Sequence, residues 1–261
     1  MARHIRAEQH EAAPRPIIAV GNDYPAGHVH PAHRHRRGQL LFAEFGMMMV
    51  QTSHGAWMVP PQQGVWIPAA VTHSITMLSK VATRSVYLDQ KTVPGLAAHC
   101  QVVGVGPLLR QLLIEAVDLP VEYDPASRAG RIMALLIDEV RQAPVLPLNL
   151  PMPHDVRLAA RCRRFTSRPS AQDTIDSWCA GLGMSRRAFT RLFKRETGLS
   201  FAAWKRRACL HAALPRLMAG ERVTTIAFDL GYAAPAAFTT MFRQLTGASP
   251  DRYRRNGAPT A

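Results

Sequence analysis

The chain has 261 residues, 47% of them hydrophobic, and its 32 Lys/Arg against 18 Asp/Glu leave a formal charge of +14. No apolar run approaches the ~18 residues that span a bilayer, and the opening Met-Ala-Arg-His-Ile-Arg lacks a signal-peptide core, which sets membrane and secretory roles aside. The cysteines (Cys100, Cys162, Cys179, Cys209) form no C-x-x-C pair and read as small core residues of a reduced, cytoplasmic protein.

In chain order, residues 1–15 are polar and aperiodic, a loose, disordered tail. From about Ile17 to Leu88 the pattern is one of short β-type runs: Leu40–Phe45, Met47–Gln51, Ala56–Val59, Val65–Ile67, Ser74–Leu78 and Arg84–Leu88. Gly46, Ser53-His54-Gly55 and Pro60-Pro61 punctuate them, so the segment reads as an all-β sandwich or barrel. The period then changes. Pro107–Val117 sets Leu108, Leu109, Leu112, Leu113 and Ala116 on one helical face, and Ser127–Gln142 does so with Ile132, Leu135, Leu136 and Val140. These helices either cover an open end of the barrel or form a seam between two copies of the chain.

Histidines crowd the start of the β-rich half at His28, His30, His33 and His35, with His73 further on. Alternate residues of one strand share a face, so His33 and His35 are expected to point inward together. The pattern His33-x-His35-x-x-x-Gln39, followed by Pro68-x-x-x-x-His73, resembles the metal motif of the cupin superfamily. That resemblance implies a divalent metal (Zn, Fe, Ni or Mn) at His33, His35, Gln39 and His73, although Gln39 stands where the cupin pattern has a carboxylate. The alternative is a polar wall that hydrogen-bonds an organic effector. His28 and His30 read as rim residues. Trp57, Trp66 and Met77 are candidates for the interior lining, with core packing the plainer role for each.

Ala143 to Asp155 contains four prolines, which argue against helix and sheet and for an extended, semi-rigid linker at residues 144–154. The charge changes there too. Residues 155–261 hold 19 Lys/Arg against 7 Asp/Glu, whereas residues 1–154 hold 13 against 11. A surplus confined to one region is the footprint of a domain that binds a polyanion.

Beyond the linker every segment reads helical. Asp173 is the expected N-cap of a helix running to Gly181, with Asp176 at the capping-box position. Gly183 gives a tight turn, Ser185 caps a helix from Arg186 to Thr197, and Gly198 stops it. Phe189, Leu192 and Phe193 form its buried stripe; Arg187, Thr190, Arg191 and Lys194 form the opposite face, flanked by Arg186 and Arg195. The arrangement recurs: Val223 to Leu230, a turn at Gly231-Tyr232, then Pro235 to Thr246 with Ala236, Thr239, Thr240 and Arg243 outermost. Phe189–Ser200 and Phe238–Ser249 are identical at six of twelve positions, offset by 49 residues. Between them Phe201–Met218 is expected to be a connecting helix, ~27 Å long at 1.5 Å per residue, with a kink or early end at Pro215. Two copies of one basic helix suit a partner that repeats, and the major groove of duplex DNA returns every ~34 Å.

Residues 155–255 are identified as similar to the DNA-binding domain of AraC/XylS-family transcription regulators, through Ile226-Ala-Phe-Asp-Leu-Gly-Tyr232 and the ending Phe238-x-x-x-Phe-Arg-x-x-Thr-Gly-x-Ser-Pro-x-x-Tyr-Arg254. The resemblance implies two helix-turn-helix units in successive major grooves, with Arg187, Thr190 and Arg191 facing bases in the first and Ala236, Thr239 and Thr240 in the second. Ser185, Arg186, Lys194, Arg195, Pro235 and Arg243 complete the expected DNA contacts. Ala234 and Ala236, where family members often carry serine, and Pro215 depart from the pattern. Trp57–Pro68 and His33–Gln39 also resemble the N-terminal domain of a subgroup of these regulators, which implies a small-molecule sensor that supports dimerisation.

The expected protein is α+β and two-domain: a cupin-like β-barrel with two helices over residues 16–143, and an all-α double helix-turn-helix domain over 155–256. Its expected role is that of a cytoplasmic, homodimeric, effector-responsive regulator of transcription, with double-stranded DNA and RNA polymerase as partners and no enzyme activity. The competing reading is a metal-dependent cupin enzyme, of dioxygenase or isomerase type, fused to a DNA-binding domain.

Overall fold

A computed structural model describes residues 12–256. Residues 1–11 of the expected tail lie outside the described residues. Two compact units account for the rest, one of residues 12–52 and 57–146, the other of residues 53–56 and 147–256.

The first unit is built on two antiparallel sheets. One has the order β1 (Ile17–Tyr24), β8 (Val81–Leu88), β3 (Gly38–Phe45), β6 (Gln63–Ile67), β9 (Gln101–Gly104) and β10 (Val145–Leu146). In the other, β4 (Met48–Thr52) and the edge strand β2 (Val29–His33) flank β7 (His73–Met77), and β5 (Gly55–Val59) follows β4 in the chain. The expected strands are present. Strands β1 and β9 were not among the sequence expectations, and β2, where a strand through both His33 and His35 was expected, ends at His33. β1 is apolar on both faces over its first half because both are buried, which removes the alternation that marks a half-buried strand.

One face of the large sheet, through Ile17, Ala19, Leu40, Phe42, Trp66 and Val86, packs against α1 (Pro107–Ala116) and α2 (Arg128–Gln142). Trp66 therefore belongs to this outer core, its Nε1 donating to the Ala97 carbonyl at 2.8 Å, and not to the interior lining. Leu109, Leu112, Leu113 and Ala116 of α1 are buried, whereas Leu108 is 50% exposed; on α2 Met133, Leu136 and Val140 are buried and Leu135 is 42% exposed. The helices thus cover a sheet face rather than a barrel end, and each keeps one leucine outside. Of the expected loose tail, Ala13 and Arg15 are held: the buried Arg37 guanidinium donates to both of their carbonyls at 2.7 Å.

The expectation that the proline-rich linker would avoid sheet needs correction. Val145 and Leu146 pair with Val103 and Val102 as β10, and Asn149–Pro151 forms β11. Prolines 144 and 147 flank the two-residue β10 without needing a ladder N–H, as edge strands allow. The stretch that follows is bound to the helical unit. Along the connecting helix α6 (Phe201–Met218), Trp204 Nε1 donates to the Pro151 carbonyl at 2.7 Å, Arg207 to the Asn149 carbonyl at 3.2 Å, and His211 Nε2 to the Leu148 carbonyl at 2.9 Å.

The second unit is helical: α3 (Val156–Ser167), α4 (Ile175–Leu182), α5 (Arg186–Thr197), α6, α7 (Val223–Asp229), α8 (Pro235–Thr246) and α9 (Pro250–Asn256). Trp178, Phe189, Phe193, Phe201 and Trp204 meet in one aromatic core. The N-cap of α4 is Thr174, not Asp173; Thr174 accepts from the Ser177 N–H, while the Asp173 carboxylate takes the Trp178 indole at 3.0 Å. Pro215 falls in the last turn of α6, which runs on to Met218. A proline there costs only the bond to one carbonyl, so no early end results.

Candidate functional site

In the first unit the geometry that matters is set by one irregularity. β2 pairs His30 with Ile75 and His33 with His73, so three residues of one strand advance against two of the other. Without that bulge His33 would point away from the face that carries Ile75; with it, His33 sits opposite the buried His73. His35 lies beyond the end of β2, in the connection to β3, so the alternation expected for His33 and His35 does not operate. A turn places it instead: the Ala70 N–H donates to the His35 carbonyl at 2.8 Å, with Ala70 in the left-handed region at φ 63°.

His33, His35 and His73 offer ligand nitrogens that all lie within 4.8 Å of one another. His33 Nδ1 is 2.8 Å from the Pro31 carbonyl and His73 Nδ1 is 2.9 Å from that of Val71. A carbonyl only accepts, so each Nδ1 carries a proton and Nε2 is the ring nitrogen left to act as a ligand. His73 Nε2 is buried with no hydrogen-bond partner. Burial holds the His73 pKa at about 4, the Val71 carbonyl opposing and the imidazoles of His33, His35 and His30 adding to the depression.

Gln39, on the other sheet, is linked to the histidine group through Tyr87. Its amide nitrogen donates to the Tyr87 hydroxyl at 3.0 Å and to Ser85 Oγ at 3.3 Å, leaving Oε1 buried without a partner. The Tyr87 ring in turn lies 5.0 Å from that of His35. Ser85 and Tyr87 are not among the expected site residues, although two hydroxyl side chains two apart in one strand are a legible signal. His28 and His30 are half-buried and pack with Tyr24, ring centroids 4.7–4.9 Å apart, beside the inner group.

In the second unit the two helix-turn-helix units follow the expected local rules. Gly183 is left-handed at φ 64°, Ser185 caps α5 by accepting from the Ala188 N–H, and Gly198 ends it at φ 72°. Phe189 and Phe193 are buried on one side. Ser185, Arg186, Arg187, Thr190, Arg191, Lys194 and Arg195 are exposed on the rest of the surface. Arg186 pairs with Asp176 at 3.6 Å and Arg195 with Glu196 at 3.1 Å. Among the described residues Arg187, Arg191 and Lys194 make no such pair.

The repeat is poorer in donors. α8 starts after Ala234, which supplies no side-chain cap, and ends at Gly247, φ 77°. Ala236, Thr240 and Arg243 are exposed, while Pro235 and Thr239 are half-buried. Thr240 gives its hydroxyl to the Ala236 carbonyl of its own helix at 3.0 Å.

Comparison with known proteins agrees with this division. Residues 16–142 match the family model of the AraC-like ligand binding domain, and residues 178–256 that of a helix-turn-helix domain. The chain is 32% identical over 244 residues to the HTH-type transcriptional regulator NimR of Escherichia coli K12, covering 94% of this chain and 88% of that one. The chain belongs to the AraC family of transcriptional regulators. As such it has an N-terminal ligand-binding domain and a C-terminal helix-turn-helix DNA-binding domain. It is also 32% identical to the regulator RipA of Corynebacterium glutamicum over 124 residues, 47% of this chain and 35% of RipA. Among solved structures it is similar to ToxT of Vibrio cholerae (11% identity, TM-score 0.39, 93% of this chain and 99% of that one). The DNA-binding domain of AdpA, solved with a target DNA, is similar over 38% of this chain and 90% of that one, at 28% identity and a TM-score of 0.36.

Proposed function

We propose that this AraC-family regulator reads bases mainly through Arg187, Thr190 and Arg191 of α5, and uses α8 mainly as an anchor. The observation that carries this reading is the pair of exposed, unpaired guanidinium groups on the face of α5 opposite Phe189 and Phe193. An arginine there can give two hydrogen bonds to guanine O6 and N7. Lys194, Arg186, Arg195 and Arg243 go to phosphates, with Ser185 and Pro235 at the helix starts; Ala236, Thr239 and Thr240 add methyl contacts. The DNA-binding part is residues 155–256, the sensing and dimerising part residues 16–143.

The sensing site is the cupin-like histidine group, and its effector is a divalent metal (Zn, Fe, Ni or Mn) or a small molecule that uses the same ligands. The residues fit a metal: the backbone carbonyls of Pro31 and Val71 present the Nε2 atoms of His33 and His73, and His35 completes three imidazoles. Gln39 Oε1 is the oxygen nearest in role to the missing carboxylate. A bound ion would draw the nitrogens to ~2.1 Å from itself and so tie β2 to β7. The site works as a sensor and not as a catalyst, as the names of the relatives suggest. Exposed Leu108 and Leu135 support a homodimer through α1 and α2. No helix among the described residues is long and apolar enough to cross a membrane, and we place the protein in the cytoplasm, on DNA and beside RNA polymerase.

The test is salt dependence on a duplex selected from a random pool by the protein itself. The logarithm of the binding constant is expected to fall linearly with that of salt, with a slope of ~0.9 per phosphate contact. A flat response would reject the electrostatic reading of the helical unit.

A further inference from the structure

The two reading helices are joined by more than α6. The loop between α3 and α4 is bonded to the turn of the second helix-turn-helix: the Ala171 N–H donates to the Leu230 carbonyl at 2.7 Å. Gly231, next in that turn, is left-handed at φ 76°, and a Cβ placed on it would come within 2.8 Å of Ser170 Oγ. Only glycine allows both the conformation and the approach. The same loop is gripped from α6, where Lys205 Nζ donates to the Ala171 and Asp173 carbonyls, each at 2.6 Å. Asp173 carries the connection into the first unit by accepting the Trp178 indole. On the other side Tyr232 hydrogen-bonds Cys209, one turn along α6 from Lys205.

A half-buried ammonium spent on two backbone carbonyls is unusual for a domain that needs cations for phosphates. It costs an available charge and fixes a loop of four residues that touches both heads. We infer that Lys205 is a positioning residue: by holding loop 170–173 against Leu230 and Gly231, it sets the separation and relative rotation of α5 and α8. The protein thereby measures the spacing between the two DNA elements as well as their sequence. This rests on the reading that both helices enter DNA. A cavity of about 300 Å3, lined by Ala171, Lys205, Tyr232, Thr240 and Met241 among others, adjoins the clamp. Once Lys205 lets go, the loop has room to shift there.

The test uses the full chain and a duplex selected from a random pool by the wild type, together with the same duplex carrying one added base pair between its two protected elements. One base pair turns the second groove by about a tenth of a helical turn. The wild type is expected to bind the lengthened duplex at least tenfold more weakly. Lys205→Met keeps the apolar stem but not the donors, and its discrimination should shrink to within threefold; Lys205→Arg, with donors for both carbonyls, should restore it. Spin labels at Lys194→Cys and Gln244→Cys, read without DNA, should give one narrow distance in the parent and a broadened distribution with Lys205→Met. Unchanged spacing discrimination, or an unchanged distance distribution in a folded Lys205→Met, overturns the inference. If Lys205→Met fails to fold, Lys205→Gln is read in the same two assays. Loss of all salt-sensitive binding by the wild type would instead reject the DNA reading, while the distance measurement would still judge the clamp.

Discussion

His33 and His73 face each other across the β2–β7 pair with ring centroids 4.4 Å apart, and each donates its Nδ1–H to a backbone carbonyl two residues earlier in the chain. This fixes the tautomer of both rings before any ligand arrives. Loss of a mere orienting partner costs a metal site ~10–100-fold in affinity, so loss of a ligand should cost more. His33→Ala or His73→Ala is expected to weaken Zn or Ni binding beyond 100-fold by calorimetry, whereas substitution of the exposed His99 leaves it unchanged. Gln39→Glu should tighten divalent binding at least tenfold, since it adds the negative charge that three imidazoles lack. Equal affinities across these variants would remove the metal and leave an organic effector.

Arg187 and Arg191 make a different kind of prediction from their basic neighbours. Each bidentate base contact is worth ~1–3 kcal/mol of discrimination, so Arg187→Ala or Arg191→Ala should cut the ratio of target to random-DNA affinity by about one to two orders of magnitude. Lys194→Ala should instead weaken both DNAs alike and lower the salt slope by about one. Competition shifts at two salt concentrations separate the outcomes. Arg186 and Arg195, drawn aside by Asp176 and Glu196, should matter less than Lys194.

The weaker second head offers a gain. Ala234 has extended backbone angles, φ −147° and ψ 144°, at the start of α8 but no side chain to accept an N–H. Serine in the same place on α5 does so through Ser185. Ala234→Ser should therefore stabilise the helical unit by ~1 kcal/mol, read as a rise in its thermal midpoint. A fall would mean that the hydroxyl cannot compete for the Ala237 N–H, which donates to the Ala234 carbonyl at 3.1 Å.

What the sequence disclosed here depended on how local the cause was. Ser185 and Gly198 bound their helix as expected, because caps and left-handed glycines act within a few residues. The convergence of His33, His35 and His73 was legible as a list but not as a geometry. The bulge in β2 and the Ala70 turn, which make it, are set by partner strands and not by spacing. The linker misled for a similar reason: its prolines rule out only N–H donation, while its carbonyls remained available to Trp204, Arg207 and His211. Asp173 looked like an N-cap, and its carboxylate was claimed by Trp178, five residues along the chain and invisible to a capping rule.

His211 gives its hold on the linker a pH dependence. It is buried on α6, its Nε2 donating to the Leu148 carbonyl, and burial brings its pKa from 6.5 down to about 4, the carbonyl opposing and Arg207 adding to the fall. In the unfolded chain the ring takes its proton near the ordinary value; in the folded chain it resists until about 4. Between these limits the unfolded state binds more protons, so stability rises with pH across the window and is fully present above about 6.5. The whole effect is ~3 kcal/mol for this group, and His73, buried with the same sign of shift, acts likewise on the first unit. Urea titrations between pH 7 and pH 4.5 should show the loss as pH falls. His211→Gln, which keeps a donor but cannot titrate, should flatten the slope of the helical unit's transition while leaving its stability above pH 7 lower or equal. A slope identical to the wild type would mean that His211 is protonated in the folded chain and that the linker is not held by a neutral ring.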